Sequence, residues 1–217
     1  MLGLVLLLAL LLILSLGIGA VKLSPWQVLR ALLDPVADER AALVLQAIRI
    51  PRTLLAALVG ACLAGAGAAM QGLFRNPLAD PGLIGVSSGA ALAAVAAIVF
   101  GGRFPLFAGP ALVPLAAFIG SLLATGATLL LAQRFQSGTV RASSVAGLLL
   151  AGLAMTVITM AGVGFMTYLS DDRQMRDITY WSLGSVASGG WRGVSWVLPA
   201  ALLSLGGLLT RRASSMP

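Results

Sequence analysis

Arg49–Ala93 reads RIPRTLLAALVGACLAGAGAAMQGLFRNPLADPGLIGVSSGAALA. Two stretches in and around it, 53–74 and 81–102, carry no Lys, Arg, Asp or Glu. At about 1.5 Å per helical residue, each is long enough to cross a hydrocarbon core of about 30 Å. Between them lies FRNPLADPG, with two prolines and a glycine. Proline is tolerated in a first helical turn, where its missing N–H had no partner. The spacing therefore predicts a helix from near Pro51 to about Gly72, a compact break at Phe74–Gly82, and a helix over roughly Leu83–Phe100.

Further charge-free runs occupy 1–21, 104–133, 142–170 and 193–210. Six membrane helices follow, and the fold class is an all-α polytopic membrane helix bundle in one domain, 1–217. Composition agrees. Of 217 residues, 59% are hydrophobic and 10% charged, against about 25% charged in a soluble domain. So few charges cannot cover a soluble surface. Helix one runs from about Leu2 to Val21, helix four ends near Arg134, helix five covers about Val145–Tyr168, and helix six ends at Arg211–Arg212. The GIGA at Gly17–Ala20 resembles a signal cleavage site, but residues 1–21 lack a charged leader and are long, so a retained helix is expected. The polar stretch Lys22–Arg49 is expected to hold a short interfacial helix, ERAALVLQAI. The stretch SDDRQMRDITYWSLGSVASGGWR is expected to hold another around Ile178–Leu183.

The net charge of +7 suggests loops near anionic headgroups. It does not suggest nucleic acid, because no basic run or basic face interleaved with aromatics is present. With the N-terminus inside, inner segments hold Arg75, Arg134, Arg141, Arg211 and Arg212, and outer segments the remaining basic residues. That distribution leaves orientation open.

Several chemistries are excluded or disfavoured. The chain has no histidine and one cysteine, Cys62, so it forms no internal disulfide and lacks the commonest ligand of zinc and haem sites. No metal site and no catalytic residue is expected. GVSSG (Gly85–Gly89) matches a nucleophile-elbow pattern, but nothing near Ser87 could serve as its base. The expected role of Ser87 and Ser88 is helix capping. No P-loop is present, and Lys22 is the only lysine, so the chain does not hydrolyse ATP by itself. All seven acidic residues, Asp34, Asp38, Glu39, Asp80, Asp171, Asp172 and Asp177, lie outside the charge-free runs. Proton- and sodium-coupled carriers usually keep an ionisable group in the membrane, so this argues against one. Gly60, Ala64 and Ala68 give helix two a small face, expected to pack inside the bundle rather than at a dimer seam. Arg49 and Arg52, three apart, are expected to share a face and could grip carboxylates bidentately, the alternative being headgroup anchoring.

The opening stretch, with LLLAGLAM (Leu148–Met155) and YLSDDRQMRDITYWSLGS (Tyr168–Ser185), resembles the FecCD-type permease subunits of type II ABC importers for iron chelates, haem and vitamin B12. The resemblance covers essentially the whole chain. RNPLADPGLIGVSSGAAL and DDRQMRDITYW look most similar to the haem (hemin) branch. It implies a bacterial inner-membrane protein with a cytoplasmic N-terminus, a periplasmic RIPR and a cytoplasmic FRNPLADPG. It implies a permease homodimer, separate ABC ATPase subunits carrying ATP and magnesium, and a periplasmic substrate-binding protein. Haem or another iron chelate would be the cargo, and the chain itself would hold no cofactor.

Residue roles follow from the same resemblance. Arg49 and Arg52 fall where such permeases meet acidic residues of the binding protein. Asn76 and Leu78 fall in a turn of the cytoplasmic gate, and Ser144–Gly147 match the other gate segment. Helix five would line the path, with Met155, Met160, Met166 and Tyr168 as candidate contacts, and core or lipid packing as the blander expectation for each. A path without histidine suits haem passage, since no imidazole would trap the iron. These permeases have about ten helices, and this chain ends after the sixth predicted one. It is therefore expected to be the N-terminal part of that fold. Siderophore or cobalamin transport, an ATP-independent carrier and a non-transporting remnant remain as alternatives.

Overall fold

The computed structural model describes residues 1–36, 38–103, 109–137, 144–187 and 189–214. Among these, nine α-helices occur and no strand. They are α1 (Leu2–Gly17), α2 (Pro25–Leu33), α3 (Glu39–Leu43), α4 (Ile50–Phe74), α5 (Val86–Phe100), α6 (Leu112–Ser137), α7 (Ser144–Tyr168), α8 (Asp172–Leu183) and α9 (Trp191–Ser214).

Six of them, α1, α4, α5, α6, α7 and α9, stand where the six charge-free runs were. Among the described residues, three stretches are long and apolar enough to span a membrane: Glu39–Phe74, Leu112–Arg134 and Val145–Tyr168. Each buries only 11–17% of its most apolar window within the chain, so most of that surface faces outward. α1 and α5 are apolar but shorter than expected. α1 stops at Gly17 because Ile18 turns extended. α5 starts late because Gly85 sits in the left-handed region at φ 80, and a 3-10 turn, Pro81–Ile84, precedes it. Only glycine adopts that backbone without a Cβ penalty.

The chain forms two compact units. The first comprises Met1–Gly65 and Val186–Pro217. Its core is Ala31, Ala41, Ala42 and Leu45, with Leu16, Leu23, Val28 and Ile50 packed against it. Ser24 starts α2 with a reciprocal cap: its Oγ accepts from Gln27 N at 3.2 Å, and Gln27 Oε1 accepts from Ser24 N at 2.9 Å. Asp38 Oδ1 caps α3 by accepting from Ala41 N at 3.0 Å. The Trp191 indole donates to Gln46 O at 2.8 Å.

The interfacial helix expected at ERAALVLQAI is corrected. α3 does not stop. It passes through a π-helical stretch, Val44–Arg49, straight into α4. Pro51 explains the widening. It lies inside the continuous helix and has no N–H, and its ring crowds the preceding turn. The wider ladder, in which Ile50 N donates to Leu45 O, takes up the misfit. The short helix that the polar stretch does contain is α2, Pro25–Leu33, whose pattern PWQVLRALL sets Gln27 and Arg30 on one side and apolar residues around the rest.

The second unit is Ala66–Ser185. α5, α6 and α7 pack on one another, and the 3-10 turn packs on α7. Val95, Val99 and Ile178 form one core cluster, joined by Val163 and Met166. α8 is longer than the Ile178–Leu183 expected. It begins at Asp172 because Asp171 and Gln174 form a second reciprocal cap. Gln174 Nε2 also donates to Val99 O at 3.1 Å, tying α8 to the end of α5.

The close helix contact is not the one expected. Gly60, Ala64 and Ala68 are exposed. The tight seam lies between α5 and α6, at Gly89 and Gly120.

Candidate functional site

Three places carry the residues singled out above. The first is the start of α4. Arg49 and Arg52 both border a cavity of about 500 Å³ in the first unit, together with Ser15, Val21, Thr53 and Ala56. They share that side of the helix, but their access differs. Arg49 is 7% exposed, and its guanidinium donates to the carbonyls of Leu16 and Val21. Those carbonyls belong to the last turn of α1 and the segment after it, which an α-helix cannot satisfy by itself. Gly19 makes room, since a Cβ there would lie 3.1 Å from Arg49 Nη2. Arg52, one turn on, is exposed. Ser15 and Thr53 share a hydrogen bond at 2.8 Å, a second link from α1 to α4. Neither Gly19 nor this hydroxyl pair stood out in the sequence, because both act across a separation of about 30 residues or more.

The second place is the break after α4. Arg75 takes a positive φ of 50 and ends the helix. Asn76 then organises the turn: its Oδ1 accepts from Leu78 N at 2.9 Å and its carbonyl from Ala79 N at 3.1 Å. Leu78, at the tip, is 86% exposed. Asp80 Oδ1 accepts from Gly82 N at 2.7 Å and opens the 3-10 turn. Ala79 packs with Met70 and Phe74, and Ile84 and Leu148 join them. Leu148 lies in the first turns of α7 and follows buried Gly147. Ala79, the residue after the first expected gate turn, and Leu148, the residue after the second expected segment, thus share one apolar cluster. Ser144 begins α7, and its side chain lies outside the described residues.

The capping expected of Ser87 and Ser88 does not occur. Ser88 is buried and donates to Gly85 O at 3.2 Å, while Ser87 is exposed. Gly85 provides the N-cap backbone, with no side-chain cap.

The third place is α7. Met155 and Met166 lie three turns apart and share a face. With Thr159 they line a second cavity of about 500 Å³ against α5 and α6. Both are half-buried, and Met166 also packs against the Val95, Val99 and Ile178 cluster. Met160 and Tyr168 point elsewhere, 47% and 84% exposed, on a face that also carries Leu153, Val157 and Phe165. Among the described residues, no group of three or more Cys, Asp or Glu side chains is arranged to hold a metal ion.

The chain is similar to known proteins. The chain is 42% identical over 206 residues to the hemin transport system permease protein HmuU of Yersinia pestis, covering 92% of this chain and 59% of that one. It is 41% identical over 178 residues to the achromobactin transport system permease protein CbrC of Dickeya dadantii, covering 82% and 48%. It is 38% identical over 202 residues to the vitamin B12 import system permease protein BtuC of Shigella boydii, covering 93% and 55%. The chain thus spans about half to three-fifths of the length of these relatives. A solved structure, an inward-facing conformation of a metal-chelate type ABC transporter, superposes with a TM-score of 0.74 at 34% identity. It covers 96% of this chain and 60% of that one. The model of the FecCD transport family matches residues 7–214, and the chain belongs to that family.

Proposed function

We propose that the protein is the permease subunit of an ABC importer, multi-pass in the bacterial inner membrane, and that its cargo is haem. The observation that carries this reading is the 42% identity to a hemin permease, held over 92% of the chain. The break after α4 supports the permease part, since Ala79 and Leu148, each next to an expected gate segment, pack in one cluster. The composition of these 217 residues suits that cargo: they offer haem iron no imidazole. A siderophore or cobalamin cargo is the second reading, favoured by the likeness to the achromobactin and vitamin B12 permeases.

In this reading two copies form the path between the exposed faces of α7, with Met160 and Tyr168 as contacts. ABC ATPase subunits on the cytoplasmic side supply the energy and hold the nucleotide and magnesium. ATP-driven closure moves the turn at Asn76–Leu78 against the segment at Ser144–Gly147. A loaded periplasmic binding protein docks from the other side. Proteoliposomes holding the permease, its ATPase and its binding protein test the cargo directly. ATP-dependent uptake of hemin is expected to exceed that of ferric siderophore and cobalamin. Uptake of cobalamin or siderophore but not hemin would replace haem with that cargo.

The docking role falls mainly on Arg52. Its guanidinium is free to meet a carboxylate, whereas that of Arg49 is committed to the carbonyls of Leu16 and Val21. A lost charge-assisted hydrogen bond costs about 1.5–3 kcal/mol, so Arg52→Glu is expected to weaken binding-protein affinity by about tenfold or more. Membrane insertion and thermal stability should hold. Arg49→Glu is expected to lower thermal stability first, because it buries a carboxylate against two carbonyl oxygens. Binding measured by surface plasmon resonance on nanodiscs, beside a thermal melt, separates the two effects. Equal affinities for wild type and Arg52→Glu would remove the docking role.

A further inference from the structure

α2 carries an apolar face that the fold leaves uncovered. Val28 and Ala31 point into the first unit, and Ala31 is 1% exposed. On the opposite side, Trp26, Leu29 and Leu33 follow one another at helical spacing and form one stripe. They are 60%, 47% and 78% exposed, and Val36, just beyond, is 81% exposed. A helix that is apolar on both faces is not built for water. At nine residues it is about 14 Å long, too short to cross a membrane.

Its place in the chain says what covers the stripe. α1 exposes leucines from Leu2 to Leu14, and Ile18 and Val21 continue the apolar surface. Lys22 is the first charge in the chain, and Trp26 follows four residues later. The stripe therefore lies just past the point where the chain leaves hydrocarbon. Tryptophan concentrates at that level, with its ring in the acyl boundary and its N–H in the headgroups. The Arg30 guanidinium lies 5.3 Å from the centroid of the Trp26 ring, and Arg30 is the only charged side chain within α2. A long basic side chain beside an interfacial tryptophan can reach up to lipid phosphate while its stem stays in the apolar layer.

We propose that α2 is a membrane-surface anchor. It lies in the headgroup–acyl boundary of the leaflet at the C-terminal end of α1. Trp26, Leu29 and Leu33 enter the acyl layer, and Arg30 contacts phosphate. The partner is the lipid surface, and the proposal does not depend on which cargo the importer carries.

The test places the full chain in bilayers of phosphatidylcholine and phosphatidylglycerol, with Trp181→Phe, Trp191→Phe and Trp196→Phe leaving Trp26 as the single tryptophan. Trp26 emission should be quenched strongly by lipids brominated high on the acyl chain and less by lipids brominated near the methyl end. Aqueous acrylamide should quench it weakly. Introducing Leu29→Asp with Leu33→Asp should reduce the lipid quenching by about twofold or more. Because Trp191 donates a hydrogen bond to Gln46, a second variant avoids the tryptophan changes: Cys62→Ser with Leu29→Cys carrying a nitroxide. Its collision rate with oxygen should exceed that with a water-soluble nickel complex. Strong quenching by acrylamide, or a higher rate with nickel, would mean that the stripe faces water and would overturn the proposal. Protection from both lipid and aqueous probes would mean that protein covers it, and would overturn it equally.

Discussion

Replacing Gly152 with alanine is expected to destabilise the second unit by about 3 kcal/mol, the upper end of the usual cost of overpacking. Gly152 lies on α7 directly under the turn that precedes α5. A Cβ there would overlap the Leu83 carbonyl oxygen and come within 2.9 Å of its carbon and 3.2 Å of Ile84 Cα. All of these are backbone atoms, so no side-chain rotation relieves the clash. The turn has little freedom to retreat. Asp80 fixes its start through Gly82 N, Gly85 N donates to Gly82 O at 3.0 Å, and Gly85 holds φ 80 with its own Cβ position 3.4 Å from Met155 Cβ. α7 must therefore move away, which opens the cluster around Ala79 and Leu148 as well. In detergent the melting temperature should fall by about 8 °C, at a few degrees per kcal/mol for a chain of this size. Gly164→Ala is the control on the same helix, because a Cβ there meets nothing within 4 Å. An unchanged melt for Gly152→Ala would mean that the turn does not rest on α7 at this point. In the proposed importer the substitution also separates the two gate segments, so ATP-dependent uptake should fall even at temperatures where the protein stays folded.

How much of this could be read beforehand depended on the range of the interaction. The positions of the six apolar helices were legible because exclusion of charge is a local property that every residue of a span reports. The break at Phe74–Gly82 was legible for the same reason, as Pro77, Pro81 and Gly82 act on their own backbone, although the helix after it starts only at Val86. The capped starts of α2 and α8 were missed although the signal was present. Ser24 with Gln27, and Asp171 with Gln174, have the spacing of reciprocal caps. The π-helical passage into α4 was not legible. Pro51 signals a disturbance equally well at the first turn of a new helix or inside a widened one, and packing of Leu45 and Ile50 on the first core decides between them. The partners of Arg49 were not legible, because spacing of three fixes direction around a helix, not what stands opposite. Only the fold brings the carbonyls of Leu16 and Val21 to it. Met155 and Met166 parted from Met160 and Tyr168 for a related reason. The stagger around α7 was readable, but which side α5 and α6 would cover was not.

The seam between α5 and α6 gives the second large effect. Gly89→Ala is expected to cost about 2–3 kcal/mol, and Gly60→Ala to cost nothing measurable or to stabilise by up to about 1 kcal/mol. Both are glycines inside apolar helices beside other small residues, so composition alone ranks them as equals. At position 89 a Cβ would overlap Ala124 Cβ and lie 2.7 Å from Gly120 O. At position 120 it would meet Ala93 Cβ and the Gly89 carbonyl in turn. Gly89 and Ala93 on α5 thus face Gly120 and Ala124 on α6, with small residues spaced four apart on each helix. In lipid, where apolar side chains gain nothing from avoiding their surroundings, this close backbone approach is a main source of helix association. At position 60 a Cβ meets nothing within 4 Å, and alanine there only reduces the freedom of the unfolded chain. Small residues permit close approach but do not cause it, which is why the Gly60–Ala68 pattern was a poor guide. Unfolding in mixed micelles of dodecyl maltoside and SDS reads both variants on one scale. The double variant Gly89→Ala with Gly120→Ala should cost less than the two single ones together, since the first already parts the helices. Fully additive costs would mean that the two glycines serve separate contacts and that the seam is not a single packing unit.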